Sequence, residues 1–336
     1  MDVLSDVITV MRTGRPNAAR VQWRGAWGRR FPAVPGAAGF QVILQGSCWL
    51  IPQEDDAVAA PVPLSAGDVV FFSQGHPYGL ADSPATPLAV TNCDPAAEDL
   101  ALFVRDSVGD SVGPDTPDVG EATTVTLCGG YRLDPRRAHP LLHDLPGLIH
   151  IPTRATSTTG DGTEAAADAK AELGAVVAIL GREIAAPRPG TDAVVPALLD
   201  MLLLFILRTW FDGQLARGAA TGWAAALADP AVSAALHAVH QDPARPWTVE
   251  SLGREAGMSR AAFAARFTAL VGQPPLAYLT WWRMTTAAQR LRDSDAGLAE
   301  IAARVGYSSE YAFGAAFKRV YGTAPGRYRR RSSPPG

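Results

Sequence analysis

Among the 336 residues, six histidines and three cysteines have the most chemistry to offer. A metal-dependent β-barrel enzyme would place His-x-His and a carboxylate on one strand and a further His on another, the donor set that borderline metals need. Here the first candidate strand offers Gln41, and the second offers His76 and Tyr78 around Pro77. No catalytic metal or cofactor is therefore expected, and Gln41, His76 and Tyr78 read instead as contacts for a small ligand. His139 and His143 are four residues apart and could share a helical face, but Pro140 falls between them and no cysteine is near. They read as surface or capping histidines. Cys48, Cys93 and Cys128 sit in or beside strand-like segments, and no Cys-x-x-Cys occurs. That excludes a disulfide scaffold and a thiolate zinc site. Two readings stay open for these thiols: buried structural groups, or redox sensors with a low-pKa thiolate. No Ser/His/Asp grouping, phosphate loop or paired-carboxylate motif stands out, so no enzyme is expected.

The elements around these residues are short strands. Phe40, Val42 and Leu44 alternate with Gln41, Ile43 and Gln45 until Gly46 breaks the run, and Trp49–Ile51 resumes it. Val69–Phe72 follows the turn pair Gly67-Asp68 and closes at Gly75-His76-Pro77. Residues 106–120 read as an acidic loop, and Thr123–Leu127 as a further strand. Many short strands between Gly/Pro turns give a β-sandwich or barrel. Its aromatic residues, among them Phe31, Phe72 and Tyr78, belong to a core or to the mouth of a ligand site.

Helices follow. Residues 164–184 carry Leu173, Val176, Val177 and Leu180 at helical spacing and stop at Pro187. Residues 192–212 form a helix apolar nearly all round, which must be buried on several sides, against the β domain or a second subunit. Its richest run, Leu198–Phe211, is broken by Asp200 and Arg208 and is shorter than the ~20 residues of a membrane span. The N-terminal MDVLSDVITV has no basic region of the kind that opens a secretory signal. A cytoplasmic protein with no membrane partner is expected.

The formal net charge is −3, which at first excludes nucleic acid, but the sum hides an asymmetry. Residues 1–229 carry −10 and residues 230–336 carry +7. The basic half is the one suited to a polyanion. It also contains a repeat. Leu252/Ile301, Ala256/Val305, Gly257/Gly306 and Met258/Tyr307 are 49 residues apart. From there the offset is 50: Ser259/Ser309, Phe263/Phe313, Phe267/Phe317, Gly272/Gly322, Pro275/Pro325 and Tyr278/Tyr328. The slip falls inside a tight turn, where an insertion costs least. Each copy reads as helix, glycine turn, serine-capped helix and glycine stop, the layout of a helix-turn-helix. The phenylalanine pairs are spaced i,i+4 and anchor the core, leaving the opposite face for a major groove. A connecting helix of Pro275 to Arg292 spans ~27 Å, which suits two recognition helices one DNA turn (~34 Å) apart.

The second copy, AEIAARVGYSSEYAFGAAFKRVYGTAPGRYR, resembles the signature of AraC/XylS-type transcription regulators. The first, TVESLGREAGMSRAAFAARFTALVGQPPLAYL, resembles the same family. The likeness covers residues 229–330, and residues 1–225 look like the cupin-type domain of one branch. It implies an α+β chain: a double-stranded β-helix (cupin-like) sensor over 1–160, a helical connector and dimerisation segment over 161–228, and two helix-turn-helix motifs over 229–332. It further implies a homodimer on double-stranded promoter DNA, and the N-terminal domain is expected to sense a small-molecule effector or a redox signal. The runner-up is a cupin-type metal-dependent enzyme fused to a helical domain.

Candidate DNA contacts are Ser259, Arg260, Ala261 and Arg266 in the first copy, and Ser309, Glu310, Tyr311, Lys318 and Arg319 in the second. Arg283 and Arg327 complete the set. Base reading falls to Arg260, Arg266, Tyr311 and Glu310, with a phosphate as the alternative partner of Arg266; Arg283, Lys318, Arg319 and Arg327 suit phosphates. The family carries a polar or basic residue where this chain has Ala265, and Ser-Arg where it has Gly314-Ala315. Both departures remove base-reading groups.

Overall fold

The computed structural model describes residues 3–11, 16–34, 36–53, 60–90, 103–109, 124–132, 139–152 and 164–332. In chain order they form α1 (Val3–Met11), β1 (Asn17–Trp23), β2 (Gly28–Phe31), β3 (Ala37–Gln45), β4 (Ser47–Pro52) and β5 (Val62–Ser65). Next come β6 (Val69–Phe72), β7 (Tyr78–Ala81), β8 (Ala89–Val90), β9 (Phe103–Gly109), β10 (Thr124–Arg132), α2 (Pro140–His143) and β11 (Leu148–Ile151). The rest is helical: α3 (Glu164–Ala185), α4 (Thr191–Ala216), α5 (Gly222–Ala228), α6 (Pro230–Gln241), α7 (Val249–Glu255) and α8 (Arg260–Val271). The chain ends with α9 (Pro275–Asp293), α10 (Leu298–Arg304), α11 (Glu310–Tyr321) and α12 (Pro325–Ser332).

Two compact units result, one of Arg12–Pro135 with Leu145–Gly218, the other of Met1–Met11, Arg136–Asp144 and Ala219–Gly336. A division at residues 160 and 228 would put α1, α2 and α5 with the strands or the connector. Packing puts them with the C-terminal helices, because α1 lies on α6 and α9 and α2 lies on α5.

In the first unit a six-stranded sheet, β11-β6-β3-β10-β1-β9, faces a five-stranded one, β5-β4-β7-β2-β8. Pairings are antiparallel except β1 with β9 and β2 with β8. Residues 106–109, expected in a loop, complete β9, with Ser107 opposite Val21 and Gly109 opposite Trp23. Gly67 has φ +93°, and Asp68 closes the turn by accepting the Ser65 N–H at 3.0 Å. The alternation in β3 does not leave a solvent face. Ile43 joins Trp27, Leu50, Val70, Phe72 and Leu80 in the core between the sheets. On the other side Leu44 lies against Gly181 of α3, and the Tyr131 hydroxyl donates to the Leu199 carbonyl of α4.

α3 and α4 pack as a hairpin. Its turn is held by Glu183, which accepts from Thr191 and Arg188, and these bonds keep its carboxyl below the usual range. α4 runs 26 residues, longer than its apolar run, and passes through Pro196. By length and composition it could cross a membrane. Val195, Leu199, Leu202, Ile206 and Leu207 are nonetheless fully buried, so it acts as the core helix of this unit.

Candidate nucleic-acid interface

The two repeats fold alike. Asp229 and Thr248 cap α6 and α7; Thr248 and Ser251 exchange bonds in a capping box. Gly257 and Gly306 take φ +65° and +79°, the left-handed turn that ends the first helix of each motif. Ser259 then accepts the Ala262 N–H, and Ser309 the Ala312 N–H. Phe263 and Phe267 are buried with ring centroids 5.5 Å apart; Phe313 and Phe317 match them at 5.6 Å. Gly272 and Gly322 stop both recognition helices at φ +79° and +69°. The spacer α9 has 19 residues, about 28 Å.

With their inner faces fixed, α8 exposes Arg260, Ala261 and Ala265, and α11 exposes Glu310, Tyr311, Ala315, Lys318 and Arg319. Tyr311 is 88% exposed in the first turn of α11. The serine hydroxyls are already engaged as caps. A Cβ on Gly314 would meet nothing within 4 Å, so that face of α11 is open. Arg327 is exposed on α12.

Two of the expected contact residues are held elsewhere. Arg266 donates through Nε to Asp229 Oδ2 at 2.6 Å and forms an ion pair with it. The other Asp229 oxygen accepts from Ala231 and Val232 at the start of α6. Burial alone would raise the Asp229 pKa; the Val232 N–H and the Arg266 guanidinium outweigh it and hold the carboxyl below the usual range. Arg283 donates from Nε to the Pro243 carbonyl at 2.7 Å and from a terminal nitrogen to the Arg245 carbonyl at 2.9 Å. Burial pulls its pKa down. Its guanidinium also lies against the second turn, since a Cβ on Gly306 would come within 2.6 Å of it. Arg283 therefore ties the loop before α7 to the second motif.

A buried polar chain also went unseen in the sequence. The Leu141 N–H donates to His139 Nδ1 at 2.9 Å. His139 Nε2 lies 3.2 Å from the Tyr278 hydroxyl, which lies 2.6 Å from His240 Nε2, and His240 Nδ1 lies 3.3 Å from Asp6. Because His139 Nδ1 must accept, its Nε2 donates to Tyr278; Tyr278 then donates to His240, and His240 to Asp6. One assignment of protons satisfies the whole row. Burial, then the nearby Asp6, raises the Tyr278 pKa well above its ordinary value, so the hydroxyl keeps its proton. His139 is thus a cap, as expected; the side chain of His143 lies outside the described residues.

In the barrel, Gln41, His76 and Tyr78 come together on the wall of one cavity of about 140 Å³, with Phe31, Phe72 and Cys128. Cys48 is buried in the core, and burial, with Asp68 adding to it, pushes its thiol up to about 12. A thiol held there stays protonated and unreactive at neutral pH. Cys128 is half-buried beside the Ala19 carbonyl at 3.6 Å. Cys93 lies outside the described residues. Among the described residues no group of three or more His, Cys, Asp or Glu could hold a metal ion.

A cupin family matches residues 2–212 and a helix-turn-helix domain matches residues 252–331. An AraC-like transcription regulator of Streptomyces lividans is 34% identical over 335 residues, all of both chains. The transcriptional regulator AlkR of Acinetobacter baylyi is 30% identical over 99% of this chain and 100% of its own. Among solved structures, the DNA-binding domain of AdpA in complex with a target DNA is 34% identical over 31% of this chain and 92% of that one, with a TM-score of 0.29. The chain belongs to the AraC-like transcription regulators, a cupin-type N-terminal domain joined to a DNA-binding domain with two helix-turn-helix motifs.

Proposed function

We propose that α8 and α11 enter successive major grooves of an operator. Arg260, Ala261, Glu310 and Tyr311 then meet base edges, and Lys318, Arg319 and Arg327 neutralise phosphates. The observation that carries this reading is the matching layout of the two motifs, each with its first turn exposed, across a spacer of about 28 Å. Arg266 and Arg283 act inside the protein, holding α8 and the second turn at their angles.

The barrel cavity is the site of control by a small ligand, supported by Gln41, His76 and Tyr78 sharing one wall. A second copy covers the α3–α4 hairpin, where Ile179, Val194, Met201 and Leu215 are each more than two-fifths exposed. The protein works in the cytoplasm as a homodimer and performs no catalysis.

The test is DNA selection with the full chain, followed by a salt series on the enriched site. Two half-elements about one turn apart are expected. With three phosphate contacts, log K against log salt falls with a slope near −2.7 or steeper. A flat salt response, or no enriched sequence, overturns the reading.

A further inference from the structure

The barrel cavity is lined mainly by small and apolar residues, with Asn17, Gln41, His76 and Tyr78 as its polar side chains. Gln41 is 1% exposed and lies among the apolar groups that line the cavity. Its Nε2 donates to the Tyr78 hydroxyl at 2.8 Å. That phenol cannot swing away, because its ring is stacked between Phe31 and Phe72, with centroids 4.7 and 3.8 Å distant and planes within 13°. The amide is therefore fixed, and its Oε1 is buried with no hydrogen-bond partner. A buried acceptor left unmatched is costly, and proteins seldom keep one without a use.

Size and charge narrow what would match it. Small residues surround the cavity: Ala18, Ala19, Ala38, Gly39, Gly129 and Gly130 line it. The volume of about 140 Å³ is close to the ~150 Å³ of an apolar protein cavity that takes benzene. Among the described residues that line it there is no Asp, Glu, Lys or Arg, and the one histidine is His76. Its ring is packed against Gly147, where a Cβ would come within 2.6 Å. A carboxylate or ammonium ligand would lose its water without a dedicated counter-charge.

We propose that this cavity binds a neutral, single-ring hydroxylated compound of the size of phenol. The ring lies among Phe31, Phe72 and the alanines, and the hydroxyl donates to Gln41 Oε1. The proposal deepens the ligand-control part of the proposed function and rests on it only for its effect on DNA binding; occupancy of the cavity is measured independently.

Calorimetry on the full-length protein with phenol, toluene and benzoate as probes tests it. Phenol binds at least tenfold more tightly than toluene, and benzoate gives no heat at the same concentration. Gln41→Leu brings phenol down to the level of toluene without weakening toluene. Equal affinity for phenol and toluene overturns the proposal, as does phenol binding that survives Gln41→Leu. No phenol binding at millimolar concentration also overturns it, leaving a cavity that holds water alone. Should Gln41→Leu fail to fold, the phenol-to-toluene ratio on the native protein decides. A gel shift run in parallel separates the two levels: DNA binding without phenol binding sinks this inference alone, and phenol binding without DNA binding sinks the proposed function alone.

Discussion

The two helix-turn-helix motifs share an internal geometry and differ in what surrounds it. Tyr278 and Tyr328 occupy the same place in the repeat. Tyr278 is fully buried, with its hydroxyl between His139 and His240; Tyr328 is slightly exposed and accepts from Arg292 at 3.2 Å. The second motif closes on its own core of Met284, Leu291, Ile301, Phe313 and Phe317. The first continues into Trp223, Trp281 and Trp282 and, through Asp6 and His139, into segments from far earlier in the chain. The motif as such thus needs little beyond its turn, its cap and its phenylalanine pair. What distinguishes one copy from the other is where the rest of the protein attaches.

The largest effect should come from the tyrosines. Tyr278→Phe leaves two buried imidazole nitrogens unmatched and should cost about 2–6 kcal/mol, whereas Tyr328→Phe should cost ~1 kcal/mol. Urea denaturation of the full chain compares them, and equal losses would dissolve the distinction between the copies. The turn glycines come next. Gly257→Ala meets only the left-handed backbone, because nothing lies within 4 Å of its Cβ, and should cost ~1–2 kcal/mol. Gly306→Ala also drives a methyl into Arg283 and into the Ala244 carbonyl at 2.8 Å, and should cost about 2–4 kcal/mol.

Smaller effects separate the recognition helices. Arg260→Ala should relax base preference at one position by about 1–3 kcal/mol. Lys318→Ala should weaken all sites evenly and reduce the salt slope by ~1. Binding curves on matched and mismatched sites decide this, and an Arg260→Ala protein with unchanged preference would remove the first helix from base reading. Ala315→Arg should raise affinity for generic sites by more than Arg260→Ala lowers it. The smallest change concerns the cap of α6. The Asp229 carboxyl has a folded pKa below its ordinary value, so its contribution is fully present above the unfolded pKa of about 3.8. That contribution is lost as pH falls through the folded value. Asp229→Ala should therefore cost ~1–2 kcal/mol at pH 7 and show less acid dependence below pH 4 than the native chain. A loss that persists unchanged at pH 2 would mean the carboxylate charge is not what stabilises the helix.

The helical repeat was legible because its signals are local. Ser259 and Ser309 act within three residues of themselves, and Gly257 and Gly306 within their own turns. Parts of β3, β4, β6 and β10 were legible for the same reason, with β3 ending at Gly46 and β6 lying between Gly67 and Gly75. The protein partners of Arg266 and Arg283 were not legible because they are fixed only in three dimensions. An exposed arginine on a recognition helix looks the same in sequence whether it meets a phosphate or an aspartate 37 residues away. The acidic stretch at 106–109 was read by composition, yet backbone pairing with β1 makes it a strand. The cavity wall was half legible: the missing His-x-His pointed to Gln41, but only the stacking of Tyr78 shows that its amide is fixed.

The bond from His240 to Asp6 closes across 234 residues, and this has a consequence for synthesis. At ~5–20 residues per second, α1 leaves the ribosome roughly 12–47 s before α6 exists to receive it. A helix of nine residues does not hold itself together in water, so Val3, Leu4 and Val7 stay exposed for that interval. Every strand of the barrel, and both helices of its hairpin, is complete by residue 218. The nascent protein therefore finishes its cupin-type domain first, while an apolar N-terminal segment waits to be consumed when the DNA-binding helices emerge.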